Sequence, residues 1–352
     1  MKIGINGLGR IGRAIFRRAI EMDDVEICAI NEANPDIGNI CYTLNYDTIY
    51  GSLNNPIKVS GNKLKLENGH EISVSHHNKI HEAPWKDSDV DYIIESTGTN
   101  QNVVDSKFLI EGGMCKRVFI THSPEKNVDF TMVLGCNDQN LDVEKHFVIA
   151  TSICDATAIA PVMEILDQKV GIKSGQVTTL HPWLNYQNLM DGPSSSWSVP
   201  GKIYHHYALG RSVIGNLIPK PTSAITATTQ VLSRINEEDI GSFSYRTPTA
   251  IIGSADITLQ MSKNITTDDV HDILNEYKAS QKWEILDLMC DPLVSLDFVN
   301  NRHSAVVDTR WTDVIGGNLL KLVLWYDNEA GYSLRVLDQI KYVENCIKKT
   351  TL

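Results

Sequence analysis

The sequence predicts an α/β chain in two parts, a doubly wound N-terminal domain followed by an α+β domain with a mostly antiparallel sheet. Three features carry that prediction: a strand and helix joined by a glycine-spaced turn at the N-terminus, short apolar β-branched runs through the first half, and alternating strands that admit polar residues further on. The 352 residues suffice for two domains of ordinary size, and 42% hydrophobic with 21% charged residues reads as globular.

Residues 2–6 form the first strand, and Gly7, Gly9 and Gly12 follow at G-x-G-x-x-G spacing. From Arg10 to about Glu21, Ile11, Ala14, Ile15 and Ala19 recur on a helical period, and Val25–Asn31 returns as a strand. In this setting the glycines make the turn, admit a pyrophosphate and let helix and strand pack closely, and the helix N-terminus faces the phosphates. Glu32, 20 positions after Gly12, stands where a carboxylate holds the ribose hydroxyls and repels a 2′-phosphate, so the expected cofactor of this Rossmann-type unit is NAD.

Further strands are expected at 57–60, 64–66, 70–74, 91–95, 117–121 and 131–135. The runs at 91–95 and 117–121 are apolar, as parallel strands buried on both faces should be. A helix is expected from Ala156 to about Gln168 and another from about Ser333 to Lys348. Between them, SGQVTTLHPW, GSFSYRTP, ADITLQM, SAVVDTRW and NLLKLVLWY alternate in the manner of an antiparallel sheet. Residues 182–215 form a long segment rich in Ser, Gly, Pro and aromatics, of the kind found at functional sites or interfaces.

The formal net charge of -11 argues against nucleic acid or an anionic membrane as the main partner, though a few arginines can still make a pocket positive. No run approaches the about 18 apolar residues of a membrane helix. The N-terminus carries no signal-peptide pattern, so a cytoplasmic location is expected. The seven cysteines are scattered without metal-ligand spacing, and no metal is expected.

Taken alone, Cys154 reads as a packing thiol and His181 as a satisfied polar residue at a strand end. Cys154 does stand just before the expected helix, where the helix dipole favours a thiolate. The wider pattern gives both residues another meaning. KIGINGLGRIGRAIFR at the start, VDYIIESTG (90–98), the Cys154-to-Pro161 segment, His181, DGPS (191–194), NLIP (216–219), YRTPT (245–249) and WYDNEAGYS (325–333) come in one order over essentially the whole chain. In these the sequence resembles the glyceraldehyde-3-phosphate dehydrogenase family and its relative erythrose-4-phosphate dehydrogenase.

The resemblance implies roles. Cys154 is the nucleophile, and His181 the base that draws its proton and later helps stabilise the oxyanion. Asn328, with Tyr332 nearby, orients the nicotinamide carboxamide. Arg10, Ile11 and Thr121 join Gly7, Gly9, Gly12 and Glu32 at the cofactor. Arg211, Thr222 and Arg246 bind the substrate's anionic group. The implied reaction is NAD-dependent oxidation of an anionic, phosphorylated or carboxylated aldehyde through a Cys154 thiohemiacetal and thioester, in a homotetramer. The expected domains are 1–153, completed by the C-terminal helix 329–352, and 154–328.

Departures accompany the match. The family reads Ser-Cys-Thr-Thr-Asn around the nucleophile, whereas Ile153, Asp155, Ala156 and Thr157 surround Cys154 here, so two hydroxyls that hold inorganic phosphate are gone. Leu184, Tyr186, Trp183 and Ser223 also depart. Without those donors the expected outcome is a different substrate or a non-phosphorylating reaction in which water is the acceptor. Asp155 either points inward, opposing thiolate and phosphate, or caps the helix, and the cap is expected because it leaves the nucleophile undisturbed. Two alternatives stand beside this reading. One is an ordinary phosphorylating enzyme whose phosphate sites are rebuilt from serines 194–196 or His205 and His206. The other is an NAD-binding scaffold without catalysis. Glu32→Ala should weaken NAD binding and relax discrimination against NADP, measured by titration with both cofactors; unchanged selectivity would remove Glu32 from the ribose site.

Overall fold

The computed structural model describes residues 1–124, 126–194 and 206–350. The chain forms two compact units, one comprising 1–132, 141–152 and 333–352, the other 133–140 and 153–332.

The first unit begins as expected with β1 (Lys2–Asn6), α1 (Arg10–Ala19) and β2 (Glu26–Asn31). It continues with α2 (Ile37–Asn45), the short pair β3 (Tyr46–Asp47) and β4 (Gly51–Ser52), then β5 (Lys58–Ser60), β6 (Lys63–Lys65) and β7 (Glu71–Ser75). β8 (Tyr92–Glu95), α3 (Asn100–Glu111), β9 (Arg117–Ile120), β10 (Phe130–Thr131) and β11 (Val148–Ala150) complete its central part. Nine strands share one sheet in the order β10-β11-β9-β8-β1-β2-β7-β6-β5, parallel from β10 to β7 and antiparallel beyond. β8, β9 and β11 are buried along their whole length. That is why the first two read as apolar runs in the sequence.

The expected strand at 131–135 is corrected. Pairing covers only Phe130–Thr131, and Val148–Ala150 extends the parallel sheet instead. Helices α2 and α3 were not expected. Asp36 caps α2 by accepting from the Gly38 and Asn39 N–H groups, a local signal at its start.

The second unit holds α4 (Cys154–Lys169), β12 (Ile172–Pro182), β13 (Ile218–Lys220), α5 (Ala224–Thr229), β14 (Ile240–Thr247), β15 (Gly253–Met261), α6 (Thr267–Ser280), β16 (Leu286–Met289), β17 (Ala305–Asp308), β18 (Asp313–Ile315) and β19 (Leu319–Tyr326). Its sheet runs β13-β14-β12-β15-β19-β17-β16, with β18 on β19, and is mostly antiparallel; only β12–β14 and β16–β17 pair in parallel. The alternation of β19 sends Leu320, Leu322, Leu324 and Tyr326 inward, into one core with Ala158, Ile159, Val162 and Leu166 of α4. Burial of α4 from Asp155 to Asp167 explains its lack of a polar stripe.

α7 (Ala330–Thr350) ends the described chain. From Ser333 on it belongs to the first unit, where Tyr92 donates its hydroxyl proton to Glu344 and Gln339 Nε2 donates to the Met132 carbonyl at 3.0 Å. Among the described residues, no helix is long and apolar enough to cross a membrane.

Glu95, at the end of β8, is fully buried and accepts from the Thr97 N–H at 2.7 Å, the Thr97 hydroxyl and Asn6 Nδ2. Burial pushes its carboxyl up from 4.5 to about 7 despite these donors. Its contribution to stability is therefore complete below the unfolded-state value and is lost as pH rises from about 4.5 through 7. Glu95→Gln should gain stability relative to the wild type across that window and hold the difference above it, read by denaturant unfolding at several pH values; a pH-independent difference would contradict the assignment.

Candidate active site

In the first unit, strand order reverses between β1 and β8, and ligands of doubly wound sheets bind outside strand C-termini at such a point. Gly7 follows β1 with φ of +91°, and a Cβ on Gly12 would lie 2.1 Å from the Gly7 carbonyl oxygen. Gly9 is the N-cap of α1 and offers its helix no side-chain cap, and a Cβ there would meet nothing within 4 Å. An open helix N-terminus is what a pyrophosphate needs. Glu32 leaves the end of β2 to accept from Leu8 N–H at 2.6 Å and Asn34 N–H at 3.0 Å, which places its carboxylate at the edge of the glycine turn.

Arg10 is paired with Asp47 and lies 5.9 Å from the Tyr50 ring centre, while Ile11 is half-buried. Thr121, just past β9, donates from N–H and hydroxyl to the Glu95 carbonyl at 3.0 and 3.1 Å. Next to it, both ring nitrogens of His122 are buried without a partner. The open glycine turn, the carboxylate beside it and this orphaned imidazole fit a polar dinucleotide. In the second unit, Asn328 is buried and its Oδ1 accepts from Ile252 N–H at 3.0 Å, leaving the amide N–H groups as its donor end. Tyr332 is buried nearby in sequence.

The reactive centre is built where α4 begins over the sheet of the second unit. Cys154 is the first residue of α4, whose N-cap is Ile153, so the helix starts two residues before the expected Ala156. Cys154 Sγ lies 3.6 Å from His181 Nε2, near the end of β12. His181 Nδ1 is 2.8 Å from the Pro182 carbonyl, which only accepts, so Nδ1 carries the proton and Nε2 turns its lone pair to the sulfur. Residues opposite in register share a face: His181 with Arg246 on β14, and Gly253 on β15 with Tyr326 on β19. A Cβ on Gly253 would lie 2.4 Å from the Tyr326 ring, so only glycine lets that ring lie flat across the sheet.

The expected cap by Asp155 is corrected. Ile153 is the N-cap, and Asp155 turns inward, 6% exposed. Its Oδ1 accepts from the Tyr326 hydroxyl at 2.7 Å and lies 3.7 Å from Cys154 Sγ and 3.9 Å from His181 Nε2. A hydroxyl donor 171 residues away holds the carboxylate in the interior, where a capping role at the helix start would have placed it at the surface.

The expected help of the helix start to a thiolate is present here but outweighed. Burial, then the Asp155 charge, pushes the Cys154 thiol well above its ordinary value. Burial and the Arg246 charge lower His181 to about 4. Both shifts run toward a neutral thiol beside a neutral imidazole.

Arg246 is buried; its Nη2 donates to the Tyr186 hydroxyl at 3.4 Å, and its Nε has no partner among the described residues. Two positions along the face, the side chain of Lys220 on β13 has neither hydrogen bond nor ion pair among the described residues, and burial with the nearby Arg246 lowers it to about 8. Sequence reasoning missed Lys220 and Tyr326, because only strand register brings them here. Thr222 Oγ1 accepts from Ala224 N–H at 3.2 Å. Arg211 is exposed and pairs with Asp191 at 2.8 Å, and none of its described contacts reaches the Cys154 cluster. Trp183 packs on Leu209, Val213 and Ile218. Ser194 is buried, whereas Ser195, Ser196 and His205 lie outside the described residues.

The upward shift of the thiol has a direct consequence. Alkylation of Cys154 by iodoacetamide should be slow at pH 7 and keep rising past pH 9, and Asp155→Asn should speed it about tenfold or more at pH 8. A rate that levels off below pH 8 in the wild type would contradict the arrangement.

Comparison with known proteins identifies the family of the chain. The family model for the NAD binding domain of glyceraldehyde 3-phosphate dehydrogenase matches residues 1–103, and that for its C-terminal domain matches residues 153–328. The chain is 34% identical over 343 residues to glyceraldehyde-3-phosphate dehydrogenase of Priestia megaterium, covering 97% of this chain and 98% of the relative. It is 34% identical to glyceraldehyde-3-phosphate dehydrogenase 1 of Bacillus subtilis and 33% identical to the enzyme of Geobacillus stearothermophilus, with the same shares covered. The chain thus belongs to the glyceraldehyde 3-phosphate dehydrogenase family, as an NAD-dependent oxidoreductase acting on the aldehyde group.

Proposed function

We propose that this enzyme oxidises an anionic aldehyde through a covalent Cys154 intermediate and that water, in place of phosphate, releases the product as a free acid. The observation that carries the covalent part is the 3.6 Å approach of Cys154 Sγ to the lone-pair face of His181. NAD would supply the hydride acceptor: in the first unit Gly7, Gly9, Arg10, Ile11, Gly12, Glu32 and Thr121 would hold it, and in the second unit Asn328 and Tyr332 are the residues that the family resemblance assigns to it. The remaining chemistry belongs to side chains. His181 Nε2 takes the thiol proton as sulfur adds to the carbonyl carbon, and returns it to the developing oxyanion, giving a thiohemiacetal. As the carbinol carbon gives up its hydride, the same nitrogen takes the hydroxyl proton and a thioester remains on Cys154.

An anionic substrate is supported by Arg246, whose buried Nε is unpartnered, and by Lys220 beside it. A buried guanidinium without a carboxylate partner is stabilised by an anion entering from outside. Arg211 and Thr222 remain candidates for the outer part of that anion's path. Water as acceptor is supported by Asp155, a carboxylate 3.7 Å from the sulfur where an attacking phosphate dianion would meet like charge. The phosphorylating reading draws on the same two cations, Arg246 and Lys220, which offer charge to a phosphate as readily as to a substrate. Our reading also includes a homotetramer, as the family resemblance implies, and a cytoplasmic location.

The test is NADH formation from phosphorylated aldehydes, glyceraldehyde 3-phosphate among them, and from carboxylated ones, with and without inorganic phosphate. NADH should form without phosphate, with Cys154→Ser inactive. Arg246→Leu should raise KM for the anionic aldehyde about 10- to 100-fold, as loss of a charged hydrogen bond does. Strict dependence on phosphate would establish the phosphorylating reading instead.

A further inference from the structure

The oxidation half of this reaction leaves one buried group at the sulfur without a task, the Asp155 carboxylate. We propose that Asp155 is the general base that delivers water to the Cys154 thioester, an inference that rests on the hydrolytic reading above. The need for a second base follows from the proton inventory. When the thioester forms, His181 has just taken the carbinol proton, and for as long as it holds that proton its only free nitrogen is closed to water. Asp155 is the other proton acceptor at the sulfur, with Oδ1 3.7 Å from Sγ.

Its geometry suits the role. The Tyr326 hydroxyl donates to Oδ1 at 2.7 Å and fixes the carboxylate plane. None of the described residues donates to Oδ2, which is thereby the oxygen available to a water. A water held by this carboxylate stands beside the sulfur, and its attack on a carbonyl carbon bonded there needs an approach of about 3–3.5 Å. Lys220 and Arg246 offset the carboxylate's charge without forming an ion pair that would occupy it.

The step balances as follows. Asp155 takes one proton from water while the water oxygen bonds to the acyl carbon. The carbon–sulfur bond breaks with its electron pair on sulfur, and the His181 imidazolium, 3.6 Å away, returns its proton to the thiolate. The acid departs, the thiol is restored, and the proton on Asp155 passes to solvent. No oxidant or second substrate is required.

p-Nitrophenyl acetate tests this without knowledge of the natural aldehyde, because it acylates Cys154 directly in the full-length, NAD-loaded protein. The wild type should show a burst of one p-nitrophenolate per Cys154, followed by steady hydrolysis in phosphate-free buffer. Asp155→Asn and Asp155→Thr should keep the burst and slow the steady phase about 100-fold, the scale of general-base catalysis, with the acetyl-enzyme persisting in the mass spectrum. Variants that deacylate within threefold of the wild type would overturn the role of Asp155 and leave hydrolysis itself standing. Folded variants that both lose the burst would place Asp155 in acylation and overturn the proposal. A wild-type acetyl-enzyme stable in water and discharged only by phosphate, as acetyl phosphate, would overturn the hydrolytic reading and the proposal together. A wild type with no burst would remove the nucleophile and both readings with it.

Discussion

A carboxylate held in the interior against a thiol sets the character of this active centre, and the Tyr326–Asp155 hydrogen bond keeps it there. Burying a charge costs several kcal/mol unless hydrogen bonds or opposite charges offset it. Here a phenol donates at 2.7 Å, and Arg246 and Lys220 lend positive potential from the adjoining strands. Several other features follow from that arrangement. Position 253 is glycine because the Tyr326 ring occupies the space of a side chain. Ile252, just before it, takes φ of +72°, a costly conformation for a β-branched residue, while its N–H holds Asn328. Burial first, and then the negative neighbour, hold the thiol toward its neutral form.

This balance differs from the usual device of activating a cysteine with a helix N-terminus and a nearby cation. The first turn of α4 still points its N–H groups toward Cys154, yet burial and Asp155 outweigh them. In the proposed reaction, such a thiol ionises by passing its proton to His181 once a carbonyl is in place to take the electron pair. The cofactor turn obeys the opposite logic. Gly9 leaves the start of α1 without a side-chain cap, so its N–H groups and dipole stay open to an external anion.

The sequence was informative where structure is local. β1, α1 and β2 were legible because three glycines and two apolar periods sit within one short stretch, and β8 and β9 because strands buried on both faces are uniformly apolar. Residues 131–135 misled because an apolar run also suits chain that is buried without pairing. β11 escaped because three residues make no period. α6 escaped because only Val270 and Leu274 are buried along it, although Thr266 and Asp269 form a capping box at its start.

The residue pattern by itself determined the two-part α/β architecture, the glycine turn with Glu32, and, through its family resemblance, the pairing of Cys154 with His181. Those properties rest on short-range periodicity or on long ordered motifs. Tertiary structure alone decided what Asp155 does. Capping depends on neighbours one turn away and can be guessed from them, whereas a buried carboxylate depends on a donor brought in from another strand. Tyr326 lies 171 residues further on, and Arg246 and Lys220 reach the same face only through strand register. Contacts of that range leave no periodic trace in the chain, so the group that most distinguishes this site stayed hidden until the sheet was assembled.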